Sequence, residues 1–269
     1  MNYKLLLPTY RNRYLFIEKC LKAQVKKHGA FASVLNLGTG EGDYDRMIAP
    51  YCERLIGCDI NPDDIAFAKA LNKDISNLDY RVENALELSF PDNHFDLIIS
   101  VEVIEHVGQP ERMIEEIQRV LKPKGLLIIT YPREEFPLTY DPINRVRKYL
   151  GQEKISQGAY AFGHEYLIPT KTFQQWAIKN NLEIQFSRNL SGYIIGLLEM
   201  YWTGMIQKLL KANSGNVSDQ EEKKVVLRPS TEKSFLTNIT DVIIAIDHFL
   251  FKKAKYSVGK GFILQKRSN

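Results

Sequence analysis

The chain has 269 residues, 44% of them hydrophobic and 25% charged, with 36 Lys and Arg against 32 Asp and Glu for a net charge of +4. These values exclude wholesale disorder and fit a globular protein large enough for one decorated α/β domain, which is how residues 1–269 are read. A charge this mild does not demand a polyanion, so nucleic acid is not the expected partner and the lysines near both ends read as solvated faces.

Predicted elements alternate along the chain. MNYKLLLPTY holds too short an apolar run for a signal-peptide core, so cytoplasmic residence is expected, with the inner face of a membrane as the alternative. Residues 12–28 read as an amphipathic helix. Strands follow at SVLNL (33–37), RLIGC (54–58), DYRVE (79–83), FDLIIS (95–100), GLLIITY (125–131), LEIQFS (182–187) and GFILQKR (261–267). Between them come helical stretches at 43–51, 62–72, 102–121 and 170–180, with Asn61-Pro62 as a helix start and Lys122-Pro123-Lys124-Gly125 as a stop before the fifth strand. This βα repetition predicts an α/β fold, a mostly parallel sheet with helices on both faces. Two stretches break it. Residues 133–165 read as a substrate-side insertion or lid, where Arg133, Arg145, Arg147, Tyr149 and Tyr160, with Tyr131 just before it, could grip an anionic or planar ligand. Residues 190–256 form a helical insertion with a flexible loop at 211–233. The apolar part of the latter, 192–210, is interrupted by Glu199 and Lys208 and is not read as transmembrane. Cys20, Cys52 and Cys58 make no CxxC pair and read as core filler in a reducing compartment.

The sequence NLGTGEGDY, after the first strand, places Gly38, Gly40 and Gly42 where backbone N–H groups and a helix start can meet a ligand without Cβ obstruction. The pattern is GxGxG. Position 43, where a dinucleotide fingerprint has its third glycine, is Asp43, whose charge opposes a pyrophosphate, so a ligand without phosphates is expected there. Asp59 ends the second strand, where a carboxylate can accept hydrogen bonds from both ribose hydroxyls of an adenosine.

Together VLNLGTGEGDY, LIGCDINPDDIAFAKA, VENALELSFPDNHFDLIISVEVIEHV and LKPKGLLIITYP resemble the class I S-adenosylmethionine-dependent methyltransferases over about residues 30–132, and among them the quinone-biosynthesis O-methyltransferase and small-molecule group. The resemblance implies a Rossmann-like seven-stranded sheet with the last strand antiparallel, and S-adenosyl-L-methionine as cofactor. It assigns Gly38, Thr39, Gly40 and Gly42 to the methionine part, Asp59 to the ribose, Ile60 to the adenine face, Asn84 and Ala85 to the adenine's amino edge, and Val101 with Glu102 to the pocket floor. Asn36 and Asn84 depart from the family's usual Asp.

VEVIEHV sets Glu102, Glu105 and His106 at i, i+3 and i+4, one face of a helical turn, and His164 lies across the insertion. By resemblance these four residues imply a divalent ion such as Mg that activates an acceptor hydroxyl. The alternative is that the acid and imidazole brace the helix, with His164 acting as a general base without metal. His164 and Glu102 are the candidate catalytic residues. A small-molecule or lipid-linked hydroxyl is the first expectation for the acceptor, and the stretches 192–210 and 235–251 allow peripheral membrane contact. An RNA 2′-O-methyltransferase, a nicotinamide oxidoreductase and a non-catalytic cofactor-binding protein stay open. The sequence leaves the oligomeric state open.

Overall fold

The computed structural model describes residues 3–136, 142–153, 167–198 and 234–268. Its elements, in chain order, are α1 (Pro8–His28), β1 (Phe31–Leu37), α2 (Asp45–Ile48), β2 (Cys52–Asp59), α3 (Pro62–Leu71), β3 (Leu78–Val82), β4 (Phe95–Val101), α4 (Pro110–Val120), β5 (Leu121–Pro132), α5 (Pro142–Tyr149), α6 (Thr170–Lys179), β6 (Leu182–Leu190), α7 (Thr237–Phe251) and β7 (Gly259–Lys266). Among the described residues the strands form one sheet in the order β3-β2-β1-β4-β5-β7-β6, with β7 antiparallel to both neighbours and the other pairings parallel. This is the expected Rossmann-like sheet with its last strand reversed.

The continuous apolar strands are explained by burial on both faces. Leu35, Leu37, Ile98, Leu127 and Ile129 join α4 and α6 on one side, while Val34, Leu97, Ile99 and Ile128 join α1 on the other. Each fully buried Leu or Ile contributes on the order of 1.5–3 kcal/mol. The three cysteines are buried and free, as expected of packing residues. Burial pushes the thiols of Cys20 and Cys52 up to about 12, which leaves them inert at neutral pH.

Two local expectations are corrected. The stretch 102–121 is not one helix. A 3-10 turn, Ile104–His106, is separated from α4 by Val107-Gly108-Gln109, and Pro110 opens α4, fitting only at a helix start because it lacks an N–H. The Lys122–Gly125 turn does end α4, but it lies inside β5 as an irregularity, where the pairing with β4 jumps from Leu121 to Leu126 around Lys124 in the left-handed region. The proposed loop at 211–233 lies outside the described residues, as do 137–141, 154–166 and 199–210.

Candidate active site

Parallel register gathers the site. Leu37 of β1 lies opposite Cys58 of β2 and Ser100 of β4, so Gly38, which follows β1, and Asp59 and Val101, which end β2 and β4, lie at the same carboxyl edge. Gly38 N and Thr39 N both donate to the Cys58 carbonyl, at 2.8 and 2.9 Å, which turns the loop over the end of β2. There Gly40 N donates to Asp59 Oδ2 at 2.8 Å and Asn61 N to Asp59 Oδ1 at 3.1 Å. Each carboxylate oxygen keeps a lone pair for a further donor. Ile60, next along, is 68% exposed and offers an apolar face beside that carboxylate.

The glycines divide the work. A Cβ on Gly38 would stand 2.2 Å from Val103 Cγ2, and one on Gly42 would stand 2.7 Å from both Asn72 Nδ2 and Tyr80 Oη. These two glycines are required by the protein's own packing. Gly40, at φ 53°, would meet nothing within 4 Å, so the open space above the loop begins at this residue. Asn84 and Ala85 reach the same edge through Glu83 N, which donates to the Asp59 carbonyl at 3.0 Å, and Asn84 Oδ1 closes a turn by accepting from Leu86 N at 3.0 Å.

Beneath the loop lies a residue that the sequence reading missed. Asp45, fully buried at the start of α2, accepts from Asn36 Nδ2 at 2.7 Å, Thr39 Oγ1 at 2.6 Å and Tyr80 Oη at 2.7 Å. Burial raises its carboxyl above the ordinary value, against the pull of these three donors. The arrangement accounts for Asn36: an Asp there would set a second buried charge against Asp45, whereas the amide donates both to Asp45 and to Thr39 Oγ1, the latter at 3.0 Å. The available signal was an acid just inside a predicted helix start in the turn that follows the glycines. From outside, Lys4 holds the loop's own acids, with Nζ 3.0 Å from Glu41 and 2.5 Å from Asp43. Asp43 is therefore largely buried and committed to Lys4.

At the far wall, Glu102 follows β4 in the left-handed region at φ 56°. Its carboxylate accepts from Thr130 Oγ1 at 2.9 Å and from Arg13 Nη1 of α1 at 2.5 Å. Glu105 is fully buried. Burial first, then the nearby Glu102 charge, raises its carboxyl well above the ordinary range. Its nearest oxygen is 4.0 Å from His106 Nε2, and His106 is partly exposed. The expected single helical face of Glu102, Glu105 and His106 is thus not formed, because the first residue precedes a tight 3-10 turn and is turned to Arg13. Glu102 is committed to Arg13, and among the described residues no three His, Cys, Asp or Glu side chains are grouped to hold a metal ion. His164, the fourth member of the predicted set, lies outside the described residues, as does Tyr160. Of the cations and rings assigned to substrate, Arg133 turns inward to Glu135, Ser257 and the Lys255 carbonyl, and Tyr131 is buried against Phe173 and Phe262.

Residues 35–129, the segment that builds this edge, match a family model described as a methyltransferase domain. Residues 35–129 are a methyltransferase domain of the class I S-adenosylmethionine-dependent type. A protein of Mycolicibacterium smegmatis named "Probable S-adenosylmethionine-dependent methyltransferase" is 32% identical over 109 residues, 40% of either chain, so the match spans well under two thirds of that relative. The ubiquinone biosynthesis O-methyltransferase of a Chelativorans strain is 29% identical over 206 residues, covering 74% of this chain and 72% of the relative. Among solved structures, the N-methyltransferase NodS of Bradyrhizobium japonicum, in complex with S-adenosyl-L-homocysteine, shares the fold at TM-score 0.51 and 21% identity, over 70% of this chain and 83% of that one. The methyltransferase domain accounts for the sheet edge. The N-terminal segment that supplies Lys4 and Arg13 lies outside residues 35–129.

Proposed function

We propose that the chain binds S-adenosyl-L-methionine across Gly40, Asp59 and Ile60 and transfers its methyl group to a hydroxyl of a small-molecule or lipid-linked acceptor. The observation that carries this reading is the half-committed carboxylate of Asp59, held by two backbone N–H groups at the rim of the open space over Gly40 and flanked by an exposed Ile60. The residues present fit the cofactor. Asp59 would accept the ribose hydroxyls, Ile60 and the Asn84–Ala85 turn would bracket the adenine, and the Thr39–Gly40 backbone with Val101 would face the methionine part. When bound, the cofactor would supply a sulfonium methyl that an oxygen nucleophile can take, with S-adenosylhomocysteine as the leaving group.

The protein's own contribution is alignment and proton handling. Glu102, set by Thr130 and Arg13, fixes the wall after β4 where an acceptor would enter. His164 is the proposed base for the acceptor proton, with no metal in its role. The O-methyltransferase name of the Chelativorans relative supports a hydroxyl over an amine. Asp43, buried and paired with Lys4 at the place of the third dinucleotide glycine, speaks against the nicotinamide reading.

Transfer of label from methyl-labelled S-adenosylmethionine into chromatographically separated polar and lipid fractions of a cell extract tests this. Label in a hydroxyl-bearing fraction, lost with His164→Ala while cofactor affinity is kept, is the expected result. Undiminished labelling by His164→Ala would remove the base assignment. Absence of any labelled product across all fractions, with cofactor binding intact, would favour the non-catalytic alternative.

A further inference from the structure

The helix α7 is built inside out. Its buried side carries Thr237, Thr240 and Asp247 with Ile244. The polar groups of this side are committed inward. Thr240 Oγ1 donates to the Leu6 carbonyl at 3.2 Å, Arg11 Nε and Nη2 reach the Asp241 carboxylate at 2.7 and 2.9 Å, and Asp247 accepts from the N–H groups of Gly192, Ile194 and Ile195. The outer side is apolar. Ile239, Val242, Ile246 and Phe249 follow one another in steps of three and four residues and are all exposed, Phe249 at 74%, with Leu250 alongside and Phe235, just before the helix, at 81%. That spacing is one continuous stripe along a helix, and its direction is the reverse of what a surface helix of a globular protein shows.

Cations collect at the carboxyl end of the stripe. Lys252, Lys253 and Lys255 are exposed immediately after the helix. Beside them, His248 is held below its ordinary value by burial and then by Arg188 of β6, Lys252 and Lys19 of α1, with Asp247 opposing. Arg188 is itself partly buried, and among the described residues its Nε has no hydrogen-bond partner and no carboxylate pairs with it. Cations with no carboxylate partner among the described residues, beside an exposed apolar stripe, are the two halves of an interfacial site for a negatively charged amphiphilic layer. A second copy of the chain fits less well. A two-fold contact would set this face against itself, and its acids, Asp241 and Asp247, are already spent inward, so the cations would meet no opposite charge.

We propose that the outer face of α7, with Arg188 and the Lys252–Lys255 segment, is a docking surface for an anionic lipid bilayer. The stripe would lie in the plane of the interface and the cations at the headgroups. Among the described residues no helix is long and apolar enough to cross a membrane, so the contact is peripheral. The same helix is tied through Asp241 and Arg11 to α1, whose Arg13 reaches Glu102, which sets the docking face next to the segment that borders the candidate site. This inference stands independently of the methyl-transfer reading.

The test is flotation of the purified full chain with vesicles of phosphatidylcholine alone and of phosphatidylcholine mixed with phosphatidylglycerol, at low and high salt. Binding to the anionic vesicles is expected, reduced at least about tenfold at high salt and about tenfold by the pair Lys252→Glu and Lys253→Glu. Phe249→Glu and Ile246→Glu, on an exposed face, should leave the melting temperature and circular dichroism unchanged and lower binding by a similar factor. Three results would overturn the proposal: no partition into anionic vesicles at low salt, a solution dimer that Phe249→Glu dissociates, or stabilisation by inorganic phosphate without vesicle binding. The last would assign the cations to a soluble anion.

Discussion

The two walls of the candidate site are made by different means. The β1–β2 wall is local: residues 36 to 80 supply the glycine turn, the Asp45 hub and the Asp59 carboxylate, and both carboxylates take their donors from within that stretch, while Lys4 reaches in to Glu41 and Asp43. The β4–β5 wall is assembled from afar, since Glu102 depends on Thr130, 28 residues away, and on Arg13, 89 residues away on the leading helix. The first wall should therefore respond to substitution mainly in stability and cofactor affinity. The second should respond mainly in turnover, because its geometry matters when an acceptor enters.

The largest expected effect that separates the walls is on the first. Gly38→Val combines left-handed backbone at φ 76° with a clash against Val103 and should cost on the order of 2–5 kcal/mol in denaturant unfolding, whereas Gly40→Ala, facing open space, should cost about 1 kcal/mol and act on cofactor affinity. Equal losses at the two positions would erase the distinction between packing glycine and ligand-facing glycine. Next, Asp45→Ala leaves three buried donors unpaired and should destabilise by roughly 2–4 kcal/mol. A loss near zero would mean that the loop is held otherwise.

On the second wall, Arg13→Ala should lower kcat about tenfold while cofactor affinity changes by less than about threefold, as fits a positioning residue. A matched fall in affinity would put Arg13 in the cofactor site instead. The smallest effect is a pH dependence. Because burial and Glu102 raise the folded-state pKa of Glu105, the folded chain holds its proton while the unfolded chain loses it above the ordinary 4.5, so this group's contribution to stability falls as pH rises from there toward the folded pKa. Glu105→Gln removes that loss. Its Tm advantage over the parent should be absent below about pH 4 and grow toward neutrality; a constant difference across this range would contradict a raised Glu105 pKa.

This contrast also explains what the sequence made legible. Strand and glycine positions follow from apolar runs and spacing, and in a parallel sheet register alone carries Gly38, Asp59 and Val101 to one edge, so the glycine turn and the Asp59 carboxylate could be read from sequence. Asp45 was missed because a buried acid and a solvated helix-start acid look alike in a sequence. The Glu102–Glu105–His106 face failed because one positive-φ residue and a 3-10 turn redirect side chains that α-helical spacing would align. Arg133 and Tyr131 read as substrate-facing because inward-turned cations and rings have no local signature. The reversed polarity of α7 could have been seen as a stripe, but not which side of the helix faced the protein.

The central claim is that Asp59 and the open backbone at Gly40 form the seat of S-adenosylmethionine. Titration calorimetry of the full chain with S-adenosylmethionine and S-adenosylhomocysteine tests it most directly, alongside Asp59→Ala protein of verified fold. The account predicts saturable heat with both compounds at one site per chain, weakened by about 1–3 kcal/mol in the variant. No heat from the well-folded parent, or an affinity that Asp59→Ala leaves untouched, would contradict it.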